Sequence, residues 1–264
     1  MRYAISFVLA LFIMACGGSD KDATETDRGD DTAPPSSTAE AGSYKLTPFE
    51  PSTPYPDAKM ESMKYENGNW SFEISGDGYE LGEQTPDAGS KGCANSAKGQ
   101  HIHLIVGGDP YVAEYQTDFR HEIADGKHPV LAFLSRSYHE SIKTDDAYIA
   151  KRLGIMDGQV AREQTLMIPS LFYSRPKGVY EGDDTKKVML DYYMVNCDQE
   201  KHWVKADING DIHELRDWQP YYIEGLPAGN NTITLTLMDG DQPARTDFNP
   251  VSRTFQLNPA PSSN

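Results

Sequence analysis

Two histidines one residue apart, His101 and His103, stand in the run QHIHLIV at 100–106. On an extended strand, residues i and i+2 project from the same face. The two imidazoles would therefore lie side by side, with Ile102 and Leu104 turned into a core on the other face. A pair of imidazoles is half of a zinc or copper site. A third ligand could come from the same half of the chain: His139, or else His128 or His121. A bare His-x-His also describes two half-buried rings hydrogen-bonded to neighbouring strands, and the spacing alone leaves both readings open.

The second cluster of functional groups is SRSYHESIK at 135–143. Ser135, Ser137 or Ser141 with His139 would make a nucleophile and base on paper. No GxSxG elbow surrounds them, and neighbours on a strand face opposite ways, so catalysis is not expected here. Arg136 and Lys143, with Tyr138 and His139 between them, could instead hold an anion, because a guanidinium forks onto phosphate or carboxylate. A third stretch, FYSRPKGVYEGDDTKK at 172–187, sets Arg175, Lys177, Lys186 and Lys187 among Tyr173 and Tyr180. It reads either as an anion or peptide contact or as a linker strapped down by tyrosine packing. No paired carboxylates stand out anywhere, so an enzyme is not expected.

Short alternating or apolar runs must position these groups. Strands are expected at 69–75, 100–106, 111–116, 119–123 and 128–135, and again at 187–195, 202–208, 221–226, 231–239 and 252–257. Tight turns are signalled at Gly107-Gly108-Asp109, Asp125-Gly126, Asn209-Gly210-Asp211 and Gly229-Asn230. One helix is expected near 145–153. Residues 107–134 can be laid on 209–237 with one residue of length difference, each copy running turn, strand, strand, Gly turn, alternating strand. The fold class expected is all-β: two tandem immunoglobulin-like β-sandwich domains, 44–170 and 171–258, followed by a disordered tail at 259–264. Cys93 and Cys197 precede the matching strands of the two copies. A disulfide between them would staple the domains, worth roughly 4–5 kcal/mol by loop-closure entropy.

The other end of the chain gives an address. Arg2 is followed by an apolar run from Ala4 to Ala15. At about 12 residues this is too short to span a bilayer and right for the core of a signal peptide. Ile13-Met14-Ala15-Cys16 resembles a bacterial lipobox, which implies a signal at 1–15, lipid on Cys16, and a membrane contact made through that lipid. Residues 17–43 carry seven acids, two bases and no aromatic, Val, Ile, Leu or Met. Such a segment cannot bury enough to offset its ordering entropy, so 16–43 reads as a disordered acidic tether. The formal charge of −16 becomes −17 once Arg2 is removed with the signal. That balance argues against nucleic acid as a partner.

Two longer blocks carry a wider resemblance. One runs GYELGEQTPDAGSKGCANSAKGQHIHLIVGGDPYVAEY to HPVLAFLSRSYHESIK, and the other runs FYSRPKGVYEGDDTKKVMLDYYMVNC to NPVSRTFQL. They resemble Bacteroidota envelope lipoproteins that often carry the label "phosphopeptide-binding protein". The Gly126-Lys127-His128 strand is also similar to one in small periplasmic β-domains. The resemblance implies tandem β domains anchored at the outer membrane of a Gram-negative bacterium, periplasmic or surface-exposed. The function the sequence favours is non-catalytic binding of a protein, peptide or anionic ligand, with Arg136, Tyr138, His139 and Lys143 as its residues. The second reading is an envelope protein that binds copper or zinc through His101, His103 and His139. A carbohydrate-active hydrolase comes last. Outside the metal reading no cofactor is expected.

Overall fold

Strand and turn chemistry account for the architecture of residues 44–261, which are the residues described by a computed structural model. Cys16, the expected signal and the expected tether all lie outside them, as do the last three residues of the expected tail. Three hairpins turn on an Asx-Gly pair with both residues at positive φ: Asn67-Gly68, Asp157-Gly158 and Asn209-Gly210. This backbone twist matches that of the flanking strands, and glycine adopts it without a Cβ penalty.

The first sandwich faces a three-stranded sheet against a five-stranded one. The smaller sheet has the order β2 (Lys59–Glu66), β3 (Asn69–Ser75), β6 (Asp118–Arg120). The larger has the order β5 (Val112–Glu114), β4 (His101–Val106), β7 (Gly126–Ser135), β8 (Tyr148–Met156), β9 (Gln159–Thr165). Met63, Trp70 and Phe72 meet Ile102, Leu104, Val130, Ala132 and Leu134 in its core.

The second sandwich pairs β10 (Ser170–Arg175), β12 (Lys187–Val195), β15 (Tyr221–Glu224) and β1 (Lys45–Pro48) in one sheet. Opposite lie β11 (Gly178–Glu181), β18 (Val251–Asn258), β16 (Gly229–Asp239), β13 (His202–Ile208) and β14 (Asp211–Leu215), with β17 (Gln242–Pro243) beside β16. All the pairings are antiparallel except β11 with β18.

In chain order the two sandwiches are wired alike. β2, β3 and β6 correspond to β10, β12 and β15, and β4, β5, β7 and β8 correspond to β13, β14, β16 and β18. Among the corresponding strands, the first two and a later one share one sheet and the other four share the facing sheet, the immunoglobulin connectivity with one extra strand (β5 or β14) beside β4 or β13. The all-β, immunoglobulin-like expectation therefore holds. The two sandwiches do not divide cleanly at the expected boundaries, because β1 pairs with β15 and completes a sheet of the second sandwich.

β4 and β12 are among the strands buried on both faces, which explains why apolar residues stand on both faces of each. β4 sends Ile102, Leu104 and Val106 into the first core, while Ile105 packs outward with Leu131 and Phe133 against Phe172, Tyr193 and Val195 of β10 and β12. β12 sends Val188, Leu190, Tyr192 and Met194 into the second core and Tyr193 and Val195 into the same seam. The seam puts a lid of protein over the outer face of β4, where His101 and His103 stand.

Two expectations are corrected. The helix expected near 145–153 is strand β8, paired on one side with β7 and joined to β9 by the Asp157-Gly158 hairpin. The disulfide between Cys93 and Cys197 is not formed. Cys93 packs with Phe49, Tyr138, Met189 and Tyr222, while Cys197 lies against the second core with its Sγ 3.4 Å from Val195 O. Each thiol belongs to a different cluster, and burial pushes both up to a pKa of about 11, so neither is a ready thiolate.

Candidate metal centre

The period of β4 brings His101 and His103 together. Their Nε2 atoms are 2.8 Å apart, and both side chains are fully buried. His139 arrives from the loop after β7, with its Nδ1 3.0 Å from His101 Nε2. The three ligand-type nitrogens all lie within 4.8 Å of one another. Nitrogens bound tetrahedrally to one ion at 2.0–2.1 Å stand about 3.3 Å apart, so the two pairs made by His101 need to open by only a few tenths of an ångström to accept a metal, while His103 and His139 stand within 4.8 Å of each other.

The other ring nitrogens fix the orientation. His101 Nδ1–H donates to Gly99 O at 2.8 Å, which leaves the Nε2 lone pair facing the cluster. His103 Nδ1 is 3.3 Å from Ser174 Oγ on β10. Such outer hydrogen bonds are what hold metal-binding imidazoles in one tautomer and one orientation. Aromatic walls complete the box. Tyr111 stacks on His103 with ring centroids 3.6 Å apart, Phe133 meets His103 edge-on, and Tyr115 leans on His101. The Tyr111 hydroxyl is 3.5 Å from His139 Nδ1.

Burial keeps all three rings neutral. It pulls the His101 pKa down to about 4, and it holds His103 and His139 well below the usual imidazole range. The positive charges of Arg175 and Lys177 act in the same direction on each ring. Neutral imidazole is the ligating form, so no proton competes for the cluster at neutral pH. His139 is only partly buried and gives the cluster its opening to solvent.

The loop that carries His139 is held rigidly. It is a short reversal in which His139 N–H donates to Arg136 O and Arg136 N–H donates to Glu140 O. His139 takes φ 70°, a left-handed position where glycine is usual, so the fold keeps a side chain there at a cost of order 1 kcal/mol. Arg136 donates through Nε and Nη2 to Thr53 O and pairs with Glu140 at 3.5 Å. Tyr138 is buried and donates to Asp87 Oδ1 at 3.1 Å, while Ser137 and Thr85 exchange hydrogen bonds. Ser141 donates twice to Asp191, which also pairs with Lys143 at 2.5 Å.

The anion-binding constellation expected at Arg136, Tyr138, His139 and Lys143 is therefore not assembled. Glu140 and Asp191 neutralise the two cations, Tyr138 turns inward, and His139 joins the other histidines. Those residues brace a loop. His128 and His121, the other candidate ligands, stay away from the cluster: His128 Nε2 bonds Ala124 O, and the His121 carbonyl accepts from Trp70. Tyr111, Ser174 and Phe133 around the histidines carried no signal of their own in the sequence, because their role follows from the seam between sandwiches.

No family model matches this chain, and no curated protein does. Among solved structures it is similar to the fibronectin(III)-like modules of CbhA from Clostridium thermocellum, at 14% identity and a TM-score of 0.29, over 78% of this chain and 97% of that one. A second similar structure is the pair of tandem V-type regions of VCBP3, a v-region-containing chitin binding protein, at 9% identity and a TM-score of 0.23, over 81% of this chain and 99% of that one.

Proposed function

We propose that this protein is a non-catalytic metal-binding lipoprotein of the bacterial cell envelope. It holds copper or zinc through His101 Nε2, His103 Nε2 and His139 Nδ1. The convergence of three imidazole nitrogens, two of them fully buried and the third from a loop 38 residues away, carries this reading. Imidazole suits both metals. Three ligands with an opening beside His139 leave a coordination position free.

The envelope assignment rests on Cys16, on the signal-like run before it and on the acidic tether after it. In this reading the lipid makes the membrane contact, and the acidic body has no affinity for nucleic acid. Cations are the natural partners of such a surface. An anion site at Arg136 and Lys143 has less support, since both cations are already paired.

Elemental analysis of protein purified without a histidine tag tests the proposal. After incubation with copper or zinc and desalting, about one metal per chain is expected. A stoichiometry far below one with both metals contradicts it.

A further inference from the structure

Beside the histidines lies a buried charge that makes no ion pair among the described residues. Arg175 closes β10, next to Ser174, whose hydroxyl touches His103 Nδ1. A β-bulge between Tyr173 and Arg175 breaks the alternation there, the usual device for re-aiming a side chain. Arg175 is 93% buried by its 7% exposure, yet its Nε has no hydrogen-bond partner. The ring of Tyr180 lies 5.4 Å from the guanidinium, and its buried hydroxyl, close to Arg175 and to the Lys177 backbone, completes no well-aligned hydrogen bond. Lys177 adds a second cation, with its Nζ 4.0 Å from the centre of the Tyr111 ring that stacks on His103.

A buried guanidinium is ordinarily paired with a carboxylate, and an unpaired one costs several kcal/mol. None of the ion pairs among the described residues involves Arg175 or Lys177. A metal cation bound by three neutral imidazoles would add to this positive field. Lys177 Nζ donates to Tyr111 O at 2.9 Å, and an anion bound beside Arg175 would balance both charges.

We infer that the metal's open position and the Arg175 guanidinium together form a site for a small inorganic oxyanion, of the carbonate or phosphate kind. One oxygen would complete the metal's coordination and another would accept from Arg175, with the Tyr180 and Tyr111 hydroxyls as further donors. The planar fork of arginine suits two oxygens of one such anion better than a lysine does. No covalent step is involved. The inference rests on the metal reading above and names what the metal binds.

The test uses cobalt(II) as the metal, because its visible spectrum reports coordination. Wild-type protein loaded with cobalt is titrated with sodium bicarbonate and, separately, with sodium phosphate. A saturable spectral change is expected with at least one. Arg175→Lys should weaken that anion about tenfold or more while cobalt stays stoichiometric, and Lys177→Met should weaken it less. Should Arg175→Lys fail to fold, the wild-type titration still decides: loaded protein with no response up to about 100 mM of either salt overturns the inference and leaves the metal reading standing. Equal anion affinity in a folded, loaded Arg175→Lys protein overturns it too. Failure of cobalt, copper and zinc to bind at all removes the metal reading and this inference together.

Discussion

β4 and β13 hold the same place in the two sandwiches, and only one of their faces differs. In β4 the inward residues are Ile102, Leu104 and Val106; in β13 they are Val204, Ala206 and Ile208. Even the register is kept, with His103 opposite Phe133 where Lys205 is opposite Thr236. On the outer face β4 carries His101, His103 and Ile105, all buried, whereas β13 carries Trp203, Lys205 and Asp207, all partly exposed. The fold dictates the first set and leaves the second free. On β13 that freedom goes to solvent. On β4 it goes to two imidazoles buried under Tyr111, Ser174 and the His139 loop, which a strand needing only to be covered would fill with apolar side chains.

The ion pairs make the same contrast and give the largest expected effect. Lys143–Asp191 braces the His139 loop with exposures of 14% and 0%, whereas Lys201–Asp239 on the second sandwich has 57% and 40%. Asp191→Ala strands a buried ammonium and should cost about 3–5 kcal/mol in urea unfolding. Asp239→Ala should cost no more than about 1 kcal/mol. Equal losses would show that the loop is not braced in this way.

Next comes metal affinity. His101→Gln or His103→Gln should weaken copper or zinc by more than about a hundredfold, beyond the loss typical of an outer-sphere partner. His213→Gln, on the second sandwich, should leave affinity unchanged in the same competition assay.

Acid should destabilise the metal-free protein through the first sandwich. Burial lowers the folded-state pKa of His101 from 6.5 to about 4, so the unfolded chain binds more protons between those values. The stability that His101 contributes is complete above pH 6.5 and is lost as pH falls towards 4. Denaturation in the presence of a chelator should show this slope, and His101→Phe should flatten it.

The smallest effect on stability should come from His139→Gly. Glycine tolerates φ 70°, so stability should stay within about 1 kcal/mol of wild type or rise slightly, while metal binding is lost. A marked loss of stability would mean that His139 is there for packing.

Several of these features were readable in the sequence. The period of two placed His101 and His103 on one face and Ile102 and Leu104 on the other, and the match of 107–134 to 209–237 follows equivalent strands through both sandwiches. The fate of Arg136 and Lys143 was not readable, because the carboxylate that matches Lys143 is Asp191, 48 residues away on another sheet. The strand at 148–156 was not readable from its own run, because its pairing with β9 depends on the Asp157-Gly158 turn that follows it. Equivalent positions in two sandwiches suggested a bond between Cys93 and Cys197. Cys93, however, packs with Tyr138, Met189 and Tyr222, while Cys197 lies against the second core, so each thiol sits in a different cluster from its counterpart.

X-ray absorption at the metal edge tests the central claim most directly. Protein loaded with one equivalent of zinc or copper should show about three imidazole nitrogens at 2.0–2.1 Å, and His103→Gln should lose that pattern. A first shell containing sulfur from Cys93 or Cys197, or only non-imidazole oxygen, would contradict it.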